Sequence, residues 1–163
     1  MIQFLQFIGF YGVFHYAYFL VPDEIFREVI YYRGVGLVCA DMVNSFFPLE
    51  DVTAVQNHLI SSRANLEIVR GCDGAGALFL VIAAILAFPS TLGRKAIGLV
   101  LGVLLMYSLN LVRIGGLYFV VAYHRDWFQV VHTYLAPTLI IALGCLFFAW
   151  WAFTSSRTDH EPR

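Results

Sequence analysis

From Ala75 to Phe153 the chain is almost uninterrupted apolar sequence; its charged residues are Arg94, Lys95, Arg113, Arg125 and Asp126. Apolar runs of that length can be buried only in lipid or in a very large core. A chain of 163 residues has no core of that size. With 60% hydrophobic and 13% charged residues and a mean hydropathy of +0.76, the whole chain reads as an integral membrane protein. The backbone must then satisfy its own hydrogen bonds within helices. The expected fold is all-α: a polytopic transmembrane helical bundle of about five membrane segments with a short extracytoplasmic loop region. A net charge of −1 leaves no electrostatic footprint for nucleic acid.

The first span is expected over about Ile2 to Val21, rich in Phe and Tyr and without charge. No basic region or small-residue cleavage site marks it as a signal peptide, so it reads as a retained span. Pro22-Asp23-Glu24 starts a new helix that runs to about Phe47 and carries Asp41 and Asn44. Such polar residues face protein or water, not lipid. Whether this second segment crosses or lies in the interface stays open. Residues 49–70 form the one long hydrophilic stretch, an extramembrane loop with a helical turn and a short strand near Leu66 to Val69. Further spans follow over Ala75 to Phe88 and over Ala96 to about Val112. Gly115-Gly116 then weakens the helix before a shorter piece, Leu117 to Tyr123. His124-Arg125-Asp126 is a polar tip. Tyr134 to Phe153 is the last span, and residues 154–163 are a polar cytoplasmic tail. No repeat or linker divides the chain, so residues 1–163 read as a single membrane domain.

Topology follows from the basic Arg94-Lys95 loop, which belongs in the cytoplasm. The span before it begins outside, at Cys72, and the span after it returns outside, at Arg113. The last span runs inward to Arg157, so it begins outside near His132. Cys72, Arg113 and His132 are thereby expected together at the outer membrane boundary. Cys72 lies in Arg70-Gly71-Cys72-Asp73-Gly74-Ala75-Gly76, where three glycines forbid a stiff helix and two charges mark a wet boundary. A nearby cation lowers a thiol pKa and makes the thiolate available. Arg113 is a permanent cation with a planar fork of donors, suited to a thiolate or an oxyanion. His132 can take the thiol proton and return it to a leaving amine. Asn110 shares a helix face with Arg113 at i, i+3. Arg70, Gly71 and Gly74 complete the supporting set.

Each residue also has an ordinary role: Arg113 as a snorkelling arginine, His132 as an interfacial hydrogen-bonder, Cys72 as a turn residue. His124 competes with His132 but sits in the charged tip and reads as solvated. Cys39 and Cys145 lie in apolar runs and read as packing residues. Three unpaired cysteines give neither a disulfide framework nor a zinc site, and no metal or cofactor is expected. Two other classes compete with a thiol enzyme. One is a non-enzymatic subunit or small transporter component, with Asp41, Asn44, Asn110 and Arg113 lining a polar path. The other is a haem-binding bundle, which an absorbance scan would reveal.

At these residues the sequence resembles the exosortase/archaeosortase family of membrane cysteine transpeptidases, closest to the compact exosortase H type. The resemblance rests on Gly71-Cys72-Asp73-Gly74 at a span entrance, Asn110-Leu111-Val112-Arg113-Ile114, and His132 before the final span. It covers residues 66–151; the first 65 residues carry no motif of it. It implies an enzyme of the cell (inner) membrane whose active site faces outward. Its implied partners are exported proteins bearing a C-terminal sorting signal: a motif, a transmembrane helix and a basic cluster. It implies cleavage through a thioester and transfer to an acceptor. Cys72 would be the nucleophile, Arg113 the stabiliser and His132 the general acid/base. Asp73 departs from relatives with a neutral residue there. A carboxylate raises a neighbouring thiol pKa, which Arg70 or Arg113 would have to offset.

Overall fold

The computed structural model describes residues 1–71 and 73–158, with side chains described as far as Thr154. Cys72 and residues 159–163 of the expected tail lie outside the described residues. The helices are α1 (Ile2–Leu20), α2 (Asp23–Phe46), α3 (Ala75–Ala87), α4 (Leu92–Tyr123) and α5 (residues 128–158). The expected helical membrane protein is thus observed. By length and composition, two helical stretches can cross a bilayer: α4, and Arg125–Thr154, which contains most of α5. Counting α1 and α2 as one broken span makes three. This is fewer than the five segments expected, because α1 and α2 count together as one broken span and α3 has 13 residues. That gives about 20 Å of helix against a hydrocarbon core of about 30 Å.

The chain forms two compact units. One comprises Met1–Leu20, Gly74–Tyr107 and the chain from Leu139 onward; the other comprises Val21–Asp73 and Ser108–Thr138. The first unit is a helical bundle. Phe14, His15 and Tyr18 of α1 all bring their rings to within 5.8 Å of the Phe79 ring of α3. No residue of α1 is buried, as suits a helix that is apolar all round. The Trp151 indole of α5 fills the space where a side chain on Gly98 would stand, so α4 and α5 approach closely. At the start of α4 two cations cap neighbouring helices. Lys95 Nζ donates to the Leu86 carbonyl (2.6 Å), and Arg94 Nη1 donates to the Thr154 carbonyl (2.8 Å). Both carbonyls belong to C-terminal turns, where positive charge is favoured.

The second unit joins α2 to the later half of α4 and to an extramembrane layer. Cys39, fully buried, directs its thiol toward the Leu111 carbonyl (3.9 Å). A β-carbon on Gly115 would stand 3.0 Å from Met42 Cε and 3.8 Å from Cys39 Sγ. The Gly115-Gly116 pair therefore does not break the helix: α4 runs unbroken for 32 residues. Its glycine serves close packing against α2 and not flexibility.

The hydrophilic stretch folds further than expected. A three-residue helical turn, Pro48–Glu50, leads into three antiparallel strands: β1 (Thr53–Val55), β2 (His58–Ile60) and β3 (Asn65–Glu67). Neighbours pair in sequence order, with Ala54 opposite Leu59 and Leu59 opposite Leu66. Leu59 is fully buried beneath the sheet. Asn44 of α2 clasps the backbone ahead of β1, accepting from Val52 N and donating to Val52 O, both at 2.8 Å. The carboxylate of Glu50 is buried and accepts hydrogen bonds from the Tyr118 hydroxyl (2.8 Å) and from the Tyr123 hydroxyl. Those two donors, with Arg63 nearby, hold its pKa below the usual carboxylate value against the opposing effect of burial.

Candidate active site at the extramembrane end of α4

Arg113 lies well along α4. Eighteen residues separate it from Lys95, a rise of about 27 Å, close to one hydrocarbon thickness. Its side chain is half-buried, and one turn earlier Asn110 is only 5% exposed. The Asn110 Oδ1 accepts no hydrogen bond among the described residues. A buried acceptor without a donor is costly, and such groups concentrate at functional sites.

His132 enters from a different helix. It sits in a π-wound turn, Val131–Leu135, at the start of α5, and its ring stacks on Phe128 with centroids 5.1 Å apart. The winding has a local cause. Pro137 lacks an N–H and its ring clashes with the carbonyl four residues earlier, so the preceding turn widens. Widened turns of this kind are frequent at functional sites. Arg113 and His132, 19 residues apart in sequence, belong to the same compact unit. His124, the alternative histidine, is exposed ahead of the short helical turn Arg125–Trp127.

The expected nucleophile, Cys72, lies outside the described residues, but its flanks are defined. Gly71 and Gly74 have φ of +89° and +79°, left-handed conformations that a side chain resists. Gly74 also precedes the first residue of α3. Arg70 anchors the turn to the start of α2. Its Nη2 donates to the Val21 carbonyl and to Asp23 Oδ1, both at 2.8 Å, and its guanidinium lies 4.1 Å over the Phe26 ring. Asp73 accepts from the Tyr31 hydroxyl at 3.3 Å.

The other cysteines divide. Cys39 is buried as expected, whereas Cys145, also expected to pack, is exposed on α5. His15 and His58 also find partners: His15 Nδ1 lies 3.3 Å from the Tyr11 carbonyl, and His58 Nδ1 lies 2.9 Å from Asn65 Oδ1 across the sheet. Among the described residues, no group of three His, Cys, Asp or Glu side chains is placed to hold a metal ion. Sequence reasoning missed Tyr31 and Glu50. Tyr31 reads as one aromatic among many, and Glu50 as a solvated loop carboxylate.

A family model described as transmembrane exosortase matches residues 4–153. The chain belongs to the transmembrane exosortase family. The match takes in most of the first 65 residues, where no motif of the family is visible. No curated protein and no solved structure matches the chain. Family membership points to a membrane transpeptidase, and the long apolar helices make the chain a multi-pass membrane protein.

Proposed function

We propose that the protein is a membrane cysteine transpeptidase that cleaves C-terminal sorting signals from exported proteins and passes the new carboxyl end to an acceptor. What supports this reading is the chain's membership of the exosortase family, together with Arg113 and His132, which come from two helices and belong to one compact unit. Cys72 is the nucleophile. In sequence it stands three residues before the first residue of α3, and a helix N-terminus favours an anion.

The steps follow from the residue chemistry. His132 takes the Cys72 proton, and the thiolate attacks the carbonyl carbon of the scissile peptide. The guanidinium of Arg113 stabilises the thiolate and then the tetrahedral oxyanion. The C–N bond breaks, His132 gives its proton to the departing amine, and a Cys72 thioester remains. An acceptor nucleophile, deprotonated by His132, attacks the thioester and releases the thiol. Lys95 and Arg94 mark the cytoplasmic side, and the site faces outward from the cell membrane. With α1 and α2 counted separately, the short α3 brings the membrane segments to five, and it begins outside, after Cys72 in sequence.

The test is co-expression with exported proteins bearing C-terminal sorting tails, read by intact mass in wild type and Cys72→Ala. The expected result is loss of the tail with wild type only. Processing that survives Cys72→Ala would remove the nucleophile and with it this mechanism.

A further inference from the structure

Two side chains near Cys72 in sequence reach the same part of α2. Arg70 stands two residues before it and Asp73 one residue after it. Arg70 lies over Phe26, and Asp73 accepts from Tyr31. Phe26 and Tyr31 are both 3% exposed, and their rings meet with centroids 5.6 Å apart. The two flanks of the turn therefore grip one buried aromatic pair.

That pair exists because of the winding of α2. From Phe26 to Gly36 the helix is π-wound, and Leu37 N bonds the Tyr32 carbonyl five residues back. In an α-helix, residues five apart point about 140° away from each other, at about 100° per residue. Closing i→i+5 bonds instead stacks residue i+5 over residue i, which puts Tyr31 above Phe26. An α-wound segment would separate the two rings and could hold only one side of the turn.

We infer that the π-wound start of α2 is the positioning element for the nucleophile turn, with Tyr31 as its positioning residue. The inference rests on Cys72 being the nucleophile. Tyr31 holds the Asp73 carboxylate, and Arg70, neutralised by Asp23, holds the other flank. A carboxylate next to the thiol disfavours the thiolate, and a hydroxyl donor on that carboxylate draws part of its charge away. Tyr31 thus keeps Asp73 compatible with a reactive cysteine, with no contact to substrate.

The test is the second-order rate of iodoacetamide alkylation of Cys72, followed by peptide mass, on the full chain in membrane vesicles at pH 7. Tyr31→Phe removes one hydroxyl and keeps the ring. Alkylation is expected to slow about 3- to 10-fold, which is about half to one unit of thiol pKa. In an Asp73→Asn background the same change is expected to alter the rate less than about 2-fold, since the charge it managed is gone. Asp73→Asn alone is expected to speed alkylation, a check that does not depend on how well Tyr31→Phe folds. An unchanged or faster rate in Tyr31→Phe would overturn the inference. So would an equal slowing in both backgrounds, which would mean a general loss of structure. Cys72 that alkylates no faster than Cys39 in the wild type would instead overturn the nucleophile assignment itself.

Discussion

Arg113 and Lys95 carry the same charge on one helix, yet they serve different ends. The ammonium of Lys95 is a point donor on a single carbonyl. The reaction proposed at Arg113 needs a planar fork that can meet both a thiolate and an oxyanion. Arg113→Lys is therefore expected to lower kcat about 100- to 1,000-fold with KM little changed, the usual cost of losing a transition-state donor. Steady-state processing of a tail-bearing substrate checks it, and a Lys variant within about 5-fold of wild type would reduce Arg113 to a membrane anchor. The sequence sets Arg113 and His132 toward one boundary, because a basic loop gives direction and span length gives reach, and the two residues belong to one compact unit. The partners of Arg70 and Asp73 were not legible. They depend on π winding in α2, and a window of Phe, Arg, Glu, Val, Ile, Tyr, Tyr, Arg gives no sign of it.

At the scale of elements, the contrast between Gly115 and Gly116 is informative. A β-carbon at Gly115 presses on Met42, whereas one at Gly116 meets nothing within 4 Å. Gly116→Ala is expected to be neutral or stabilising by up to about 1 kcal/mol, the helix-propensity gain. Gly115→Leu is expected to destabilise by at least about 1–3 kcal/mol through overpacking between α4 and α2. Thermal unfolding in detergent separates the two, and equal behaviour would mean that the helices do not pack through Gly115. In sequence the pair reads as a breaker, because composition alone does not say whether a glycine is there for its φ or for its missing side chain.

A strand near Leu66 to Val69 was expected and β3 overlaps it, but β1 and β2 were hidden for a related reason. Each has three residues, and the turn between β1 and β2 uses Gln56 at φ +54° where Asn or Gly would have signalled a hairpin. Glu50 ties this layer to α4 through Tyr118 and Tyr123. Its folded pKa lies below the unfolded value of about 4.3, so its stabilising contribution is complete above that pH and disappears as pH falls through the folded value. Thermal stability is expected to hold level above about pH 5 and to decline below about pH 4. Glu50→Gln should be less stable at neutral pH and lose most of that acid dependence. An unchanged acid limb in Glu50→Gln would assign it to other carboxylates.

For the whole molecule, the decisive quantity is how much of α4 lies in lipid. A helix of 32 residues is about 48 Å long, well beyond the hydrocarbon core of about 30 Å. Its cations sit at Arg94 and Lys95 near one end and at Arg113, and the residues between them include no charge. Lipid is therefore expected to cover the stretch between Lys95 and Arg113. The remaining turns, which carry Tyr118 and Tyr123 to Glu50, are then expected to stand clear of the hydrocarbon. This makes one long helix responsible both for crossing and for presenting the site. Span counting drew the end of this helix too early, at about Val112, where the helix in fact continues to Tyr123. Single-cysteine variants in a background with Cys39, Cys72 and Cys145 all changed to Ala can read the arrangement with a membrane-impermeant maleimide on intact cells. Ser62→Cys and His124→Cys, both at exposed positions, should label from outside. Thr91→Cys, exposed ahead of α4, should label only after permeabilisation. If Thr91→Cys and Ser62→Cys label from the same side, α4 does not cross between Lys95 and Arg113. Arg113 would then lose its place at the outer boundary, and the proposed site would have to be rebuilt around a different span.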